Sequence, residues 1–243
     1  MIPVRKENGL DLDDLIIKPV KNRLFRVGIE LEGAWNTFPN GTAPIRDGSL
    51  DDWTPPPKMI KGEIPSPPLD PSRVEEWMRL YWPHRCDHHK CGLHVHMSLR
   101  SALAYQRLMT PTYPSTILKY VDRWAQKNLP IDHHIWPRLR GENTYCQHVY
   151  QAAEQVKNRR KDFLRDRVGH RYTMVNYSYS NHSTVEVRLL PMMPTVDLGV
   201  DAVKLILHVT NAFLVKTARK EKWEGGAVDI GPQEPSTVRQ III

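Results

Sequence analysis

Carboxylates at alternate positions of a strand-like stretch are the first sign of chemistry in this chain. The stretch from Phe25 to Gly33 reads FRVGIELEG and places Glu30 and Glu32 on one face and apolar residues on the other. Two side chains on the same face of a strand lie roughly 6.5–7 Å apart, so a cation between these two carboxylates would relieve their repulsion. Taken alone, the pattern is more typical of a solvated strand face than of a cation site.

Three later stretches repeat the alternation and add more groups that bind cations. Every second residue is apolar in Gly92–Leu99 and in Thr184–Leu190, and a shorter strand-like segment covers Gly62–Pro67. The polar positions of the three stretches are His94, His96, Ser98, Glu186, Arg188 and Glu63. Several strands with one apolar and one polar face predict a single sheet whose second face is a polar, metal-binding concavity rather than a second core.

Five short motifs occur in an order that resembles one known family. In sequence letters they are GIELE at 28–32, DGS at 47–49, EIPSP at 63–67, CGLHVH at 91–96 and TVEVR at 184–188. Together they resemble the amidoligase family of the glutamine synthetase and glutamate–cysteine ligase superfamily, from about Phe25 to about Met193. The resemblance implies an α+β fold with a curved antiparallel sheet, like the glutamine synthetase catalytic domain, and helices packed on its convex face. It also implies ATP-driven joining of a carboxylate to an amine on the concave face.

The resemblance assigns a role to each polar side chain. Magnesium, with manganese as the alternative ion, would be held by Glu30, Glu32, Glu63, His94 and Glu186, mostly through the oxygen ligands that these ions prefer. His96 and Ser98 would meet the phosphates of ATP. Arg188 would stabilise charge on the γ-phosphate during transfer, and Arg171 would assist it or hold the substrate carboxylate.

Asp47 has two interpretations. The run Arg46-Asp47-Gly48-Ser49 has the composition of a tight turn, whereas in the resembled family an Asp-Gly-Ser lies at the rim of the active site. In the second interpretation Asp47 would position the incoming ammonium group and accept its proton. The carboxylate substrate stays open among a glutamate-like molecule, a peptide, a cell-wall fragment and a protein side chain.

Composition narrows the class of protein only moderately. The 243 residues suffice for one large domain or two small ones. The sequence contains no run of 18 or more apolar residues, so no membrane span is predicted. An odd count of three cysteines and the lack of an apolar N-terminal signal favour reduced thiols in the cytoplasm. The net charge of +7 suits ATP and other anionic small substrates and leaves nucleic acid open as a partner. The sequence allows a homo-oligomer but does not determine the oligomeric state.

A zinc site is the main rival interpretation, because seven metal-binding side chains crowd one stretch. They are His84, Cys86, His88, His89, Cys91, His94 and His96. Thiolate and imidazole favour zinc, but no second cysteine pair follows at the spacing of a zinc finger. The rival functions are therefore a zinc-stabilised basic nucleic-acid-binding module and a non-catalytic structural protein of the same fold.

Apolar periodicity predicts the elements around the sheet. Asp70 and Pro71 open a helix whose apolar stripe runs from Val74 to Tyr81, and Pro83 ends it. Further helices are predicted over 101–109, 115–128 and 145–167, and a last helix is capped by Asp197. The segment 130–144 is predicted to be irregular. It supplies candidate residues at the mouth of the site without an assigned role, namely His133, His134, Arg138, Arg140 and Glu142.

The end of the chain is predicted to return to the sheet. A strand over 170–180 and a turn over 181–183 lead into the strand that contains Glu186. The predicted organisation is one domain over 1–222, beginning with an arm over 1–22, followed by a tail over 223–243.

Overall fold

A computed structural model describes residues 25–99, 102–110, 112–144, 146–147, 173–178 and 184–223. Several predictions lie outside the described residues. These are the arm over 1–22, nearly all of the helix over 145–167, Arg171, the turn over 181–183 and the tail beyond Trp223.

Five strands form one sheet in the order β2-β1-β3-β7-β6, and every neighbouring pair is antiparallel. The strands are β1 (Phe25–Trp35), β2 (Ile60–Pro65), β3 (Gly92–Leu99), β6 (Val175–Ser178) and β7 (Thr184–Pro191). Two further short strands, β4 (Glu142–Asn143) and β5 (Cys146–Gln147), pair separately with each other. The α+β class and the antiparallel sheet with its helices are confirmed.

The helices cover the apolar side of this sheet. They are α1 (Val74–Tyr81), α2 (Ala102–Leu108), α3 (Thr112–Asn128), α4 (Ile135–Leu139) and α5 (Val196–Trp223). Helix α5 contacts α1, α2, α3 and β3, because its apolar side chains are fully buried at Val203 and Ile206. In the first strand, Val27 and Ile29 are likewise fully buried, as the alternation predicts. One face of the sheet therefore enters the core, and the opposite face is left to polar side chains.

The start of α1 follows its predicted signal. The Asp70 carboxylate accepts a hydrogen bond from the Ser72 amide at 3.1 Å and caps a single 3-10 turn, Pro71–Arg73, that leads directly into α1. The cap of α5 was predicted wrongly, because the Thr195 hydroxyl accepts from the Leu198 amide at 3.3 Å. Asp197 instead forms an ion pair with Arg79 of α1 at 2.7 Å.

Two predictions about the middle of the chain are wrong. The segment 130–144 is not irregular throughout but contains α4, which packs against β7. The predicted start of a helix near residue 145 is also incorrect, because Cys146–Gln147 pairs as a strand with Glu142–Asn143. Pro137 concealed α4 in the sequence, although proline in the first turn of a helix removes no hydrogen bond.

Helix α5 also meets a membrane criterion. Within the described residues, one helical stretch, Val196–Ala218, is long and apolar enough to cross a membrane by length and composition, and more than half of its most apolar part is buried inside the protein. Core helices of globular proteins meet the same two conditions.

Candidate active site

Strand register brings the predicted site residues onto one face of the sheet. Glu32 lies directly opposite Glu63 on β2, and Glu30 lies opposite His94 on β3. On the other side of β3, His96 lies opposite Glu186. Directly opposed residues of antiparallel strands have Cβ atoms about 4.5–5.5 Å apart. Glutamates that are 156 residues apart in sequence, at positions 30 and 186, are thereby placed around the same histidines.

One group of donors, the central cluster, consists of Glu30, His96 and Glu186. Its donor atoms all lie within 4.8 Å of one another. His96 Nε2 is 2.9 Å from Glu30 Oε1 and 3.8 Å from Glu186 Oε1. The other ring nitrogen of His96, Nδ1, is 3.3 Å from the Thr184 hydroxyl.

The central cluster contains its own positive charges. Burial opposes ionisation of Glu30, but the charge of His96 and the hydrogen bond with His94 hold the pKa of Glu30 well below its usual value. Burial also opposes ionisation of Glu186, and the charges of Arg188 and His96 nevertheless lower its pKa. His96 gains correspondingly, because Glu186 and Glu30 outweigh its burial and raise its pKa to about 9. The two carboxylates are therefore ionised beside a protonated imidazole.

A second group of donors, the edge cluster, consists of Glu32, Asp47 and Glu63, whose oxygens also lie within 4.8 Å of one another. The predicted turn at Asp47 is confirmed, and its role toward an amine stays a prediction. Its carboxylate accepts from the Ser49 amide at 2.9 Å and caps the 3-10 turn Gly48–Leu50. Its oxygens also face the two glutamates.

Lys61 fixes the loop that carries Asp47. Its ammonium group donates to the carbonyl oxygens of Leu50, Asp51 and Trp53 at 2.7, 2.9 and 2.5 Å. Because Lys61 lies on β2, these bonds tie the loop to the edge of the sheet. Lys61 thus organises the turn and is oriented toward its carbonyls rather than toward the carboxylates of the edge cluster.

The edge cluster lacks the compensation found in the central cluster. Burial, followed by the charges of Glu30, Glu32 and Asp47, raises the pKa of Glu63 to about 8. Burial also raises the pKa of Glu32, with a further contribution from Asp47. Carboxylates that resist ionisation in this way take up a proton or an external cation.

His94 joins the two clusters. Its side chain is almost completely buried, and Nδ1 lies 2.9 Å from Glu30 Oε2 and 3.7 Å from Glu186 Oε1. Its other ring nitrogen lies 3.6 Å from Glu32 Oε1. The geometry places His96 in a donor group and His94 between carboxylates of both clusters. The assignment of the metal to His94 and of the nucleotide to His96 stays a prediction.

Gly92 makes room for this arrangement. Its amide donates to Glu32 Oε2 at 2.5 Å. A Cβ at this position would lie only 2.4 Å from His94 Nε2 and 3.0 Å from Glu32 Oε2. The glycine of the Cys91-Gly92 motif is therefore required by the close approach of the histidine ring.

The far side of the central cluster is closed by Arg188 and Asn176. Arg188 forms a close ion pair with Glu186, and Asn176 donates its amide N–H to Glu186 Oε2 at 3.0 Å. The remaining oxygen of Asn176, Oδ1, is buried without a hydrogen-bond partner in the described part of the protein. A buried acceptor that is left without a hydrogen bond costs about 1–3 kcal/mol.

Ser98 and Arg171 are the two remaining residues of the predicted site. Ser98 lies on the same face but opposite Arg26 and Thr184, toward the end of the sheet away from Glu32. Arg171 lies outside the described residues, and its predicted role stays a prediction.

Sequence reasoning gave no role to Arg138, which the structure buries against the site. Its side chain donates to the carbonyl oxygens of Arg188 and Leu190 at 3.0 and 3.2 Å. Burial lowers its pKa, yet an arginine stays protonated near neutral pH. The only signal in the sequence is a single charge between the apolar residues Ile135 and Leu139.

The structure does not assemble the cysteine-containing zinc site. In the described ranges, the convergent donor groups contain glutamate, aspartate and His96 but no cysteine. Cys91 is buried, and burial raises the pKa of its thiol. Burial likewise raises the pKa of Cys86 to about 11. His88 stacks on Trp53, with ring centroids 5.5 Å apart, and is not part of either cluster.

The donor set fits a hard divalent cation. Five carboxylates contribute to the two clusters, and magnesium prefers oxygen ligands. The raised pKa of Glu63 and the unpartnered oxygen of Asn176 mark polar groups that the protein itself leaves unsatisfied.

Comparison with known proteins adds no assignment to this geometry. No family model, no curated protein and no solved structure matches the chain.

Proposed function

We propose that the protein is an ATP- and magnesium-dependent ligase that joins a carboxylate to an amine, built on a glutamine synthetase-like sheet. The observation that carries the proposal is the convergence of Glu30, Glu32, Glu63 and Glu186 on one face of a five-stranded antiparallel sheet. The ordered motifs and their resemblance to amidoligases supply the reaction class. The geometry supports a site for cations and phosphates.

The chemical problem is that a carboxylate is a poor electrophile in water. In the proposed reaction, a carboxylate oxygen of the substrate attacks the γ-phosphorus of ATP, and the bond from that phosphorus to the β–γ bridging oxygen breaks to release ADP. The amine then attacks the acyl carbon of the resulting acyl phosphate, phosphate leaves, and one proton is released from nitrogen. Phosphoryl transfer of this kind depends mainly on positioning and charge neutralisation.

Each of the two clusters would bind magnesium through its own side chains. Glu30 and Glu186 would supply one set of oxygen donors beside the protonated His96, and Glu32, Asp47 and Glu63 would supply the other. A divalent ion supplies neutralisation of the phosphate charge and a template for the transferred group.

The positive side chains beside the central cluster would bind the phosphates of ATP. Arg188 is mostly buried beside Glu186, and its Nε is a buried donor without a hydrogen-bond partner in the described part of the chain. A guanidinium with an unused donor is suited to a phosphate oxygen. Ser98 and the protonated His96 lie on the same face and extend this surface toward the phosphates.

Asp47 is the residue of the edge cluster that is best placed to meet an amine. It belongs to a loop rather than a strand, and the glutamates around it increase the negative potential. An ammonium group is attracted to such a site and must lose a proton before it attacks, so we assign proton acceptance to Asp47.

The direct test is an ADP-release screen. Purified protein is mixed with ATP, magnesium, and pools of carboxylates crossed with pools of amines, and ADP is measured with a coupled assay. We expect release that requires one acid pool, one amine pool and magnesium, and that is lost in Glu186→Gln but kept in Glu142→Gln, which alters an exposed glutamate.

Two outcomes would replace the proposal. ATP binding without ADP release in any combination would favour a non-catalytic protein of this fold. One stoichiometric zinc that resists chelation, together with binding of nucleic acid, would favour the zinc-stabilised module.

A further inference from the structure

The pairing of β3 and β7 changes register beside the site. Leu93 pairs with Leu190 and Val95 pairs with Val187, so two residues of β7, Arg188 and Leu189, occupy the space opposite the single residue His94. An extra residue of this kind leaves part of the ladder unpaired and re-aims the neighbouring side chain. The irregularity lies where Arg188 must reach Glu186.

Arg138 of α4 compensates for this irregularity. Its Nη1 donates to the carbonyl oxygens of Arg188 and Leu190, which flank the extra residue. Its Nη2 lies 3.4 Å from the carbonyl oxygens of Lys90 and Cys91, immediately before β3 begins. A single guanidinium thus holds both the end of β7 and the start of β3.

The Arg188 peptide is held from two directions. Its amide donates to the Met174 carbonyl at 2.9 Å, and its carbonyl accepts from Arg138 at 3.0 Å. The side chain that leaves this fixed backbone ends on Glu186, a member of the central cluster. No side chain in the described residues needs Arg138 as an ion-pair partner at close range, so its bonds go to backbone carbonyls.

We propose that Arg138 is a positioning residue of the candidate active site, which fixes the irregular β7 backbone so that Arg188 is directed onto Glu186. Its effect on turnover rests on the proposed ligase function, whereas its effect on the backbone does not. The planar fork of a guanidinium can serve two pairs of carbonyls at once, and an ammonium group cannot reproduce that geometry.

The experiment compares Arg138→Met and Arg138→Lys with Arg140→Met. Arg140 lies two residues further along, and its exposed guanidinium pairs with Glu142 at 2.9 Å, so it controls for loss of an arginine from this segment. The first readout is hydrogen exchange of the Arg188 amide. We expect exchange at least about tenfold faster in Arg138→Met and Arg138→Lys, and unchanged exchange in Arg140→Met.

The second readout separates positioning from general loss of folded protein. With the substrates found by ADP release, we expect kcat to fall about 100-fold in Arg138→Met, because a misplacement of about 1 Å in a catalytic site costs about that factor. KM for ATP should stay within about threefold. Methylguanidinium added to Arg138→Gly should restore at least about tenfold in kcat, and it should leave Arg140→Gly unaffected.

The outcomes distinguish this inference from the proposed function. Wild-type protein that never releases ADP would remove the ligase proposal, and Arg188 amide exchange would then decide the role of Arg138 by itself. Exchange at the wild-type rate in folded Arg138→Met would overturn the inference, as would an unchanged kcat. If Arg138→Met does not fold, Arg138→Lys and the methylguanidinium rescue of amide protection in Arg138→Gly provide the same decision.

Discussion

The central and edge clusters both place carboxylates on one face of the same sheet, and they differ in how the negative charge is compensated. Glu30 and Glu186 keep lowered pKa values because His96 and Arg188 stand beside them. Glu63 has a pKa of about 8, because burial and neighbouring carboxylates dominate there. Both clusters contain donor oxygens within 4.8 Å, so proximity alone does not distinguish them.

The difference indicates where an added cation changes most. In the central cluster a cation competes with positive charges that the protein already supplies. In the edge cluster it replaces protons and relieves repulsion between Glu32 and Glu63, which lie directly opposite each other. The central cluster should therefore matter for the stability of the folded protein, and the edge cluster should respond to divalent ions.

The largest effect is expected from Glu186→Gln, which breaks the balance of the central cluster. Considered from the sequence, this glutamate only adds repulsion to Glu30 and Glu32, so its loss would change stability little. The structure reverses that expectation, since a neutral side chain leaves Arg188 without its ion-pair partner and leaves the protonated His96 with Glu30 alone. We expect a loss of about 3–5 kcal/mol in the free energy of unfolding, measured by urea denaturation.

Glu142→Gln is the matched control for this prediction. Glu142 also pairs with an arginine, Arg140, but both side chains are more than half exposed, and exposed ion pairs contribute about 0–1 kcal/mol. Equal losses in the two variants would show that the central cluster is not electrostatically balanced as described.

The contrast between the clusters shows what the sequence could and could not reveal. Alternation in β1, β3 and β7 predicted which side chains share a face, because side-chain direction in a strand is fixed by its period of two. The sequence did not reveal that His96 joins Glu30 and Glu186, since that depends on strand order and register. Arg138 and the register shift opposite His94 depend on packing of α4, for which the segment 130–144 gave no periodic signal.

Gly92→Ala tests the connection between the two clusters. The added methyl group would lie 2.4 Å from His94 Nε2, closer than real contacts allow, and 3.0 Å from Glu32 Oε2. Overpacking of this kind costs about 1–3 kcal/mol. Gly28→Ala is the matched control, because its Cβ would meet only His96, with Cβ at 3.3 Å and Cγ at 3.9 Å. We expect thermal denaturation to show the larger loss in Gly92→Ala, and a reversed order would contradict the placement of His94.

Glu63→Gln tests the edge cluster through pH. The folded pKa of about 8 lies above the ordinary glutamate value of 4.5, so the folded protein holds this proton to higher pH than the unfolded chain. His96 acts in the same direction, with a pKa of about 9 against 6.5. Without divalent ions, stability should therefore fall as pH rises through these windows, by at most about 1.4 kcal/mol per pH unit for each proton.

The measurement compares wild type and Glu63→Gln by urea denaturation from about pH 6 to pH 8.5, with chelator and with magnesium. We expect the variant to have a shallower decline and to be about 1–2 kcal/mol more stable than wild type at the upper end without metal. Magnesium should stabilise wild type more at high pH, because binding must displace the Glu63 proton. A magnesium effect that is independent of pH, or equal in the variant, would remove the edge cluster as a cation site.

Asp47→Asn should have the smallest effect on stability, because two changes oppose each other. Asparagine keeps one oxygen for the Ser49 amide but weakens the cap, which costs about 0.5–2 kcal/mol when fully lost. Removal of one charge also relieves the repulsion with Glu32 and Glu63, so the net change in the free energy of unfolding should stay within about 1 kcal/mol.

Turnover should respond quite differently if Asp47 accepts the proton of the amine, and a fall of about 100-fold in the amine-dependent kcat is expected. Ser49→Ala removes the hydroxyl bond to Asp47 at 2.5 Å while it keeps the carboxylate, so equal losses of turnover in both variants would assign Asp47 to the turn rather than to the chemistry.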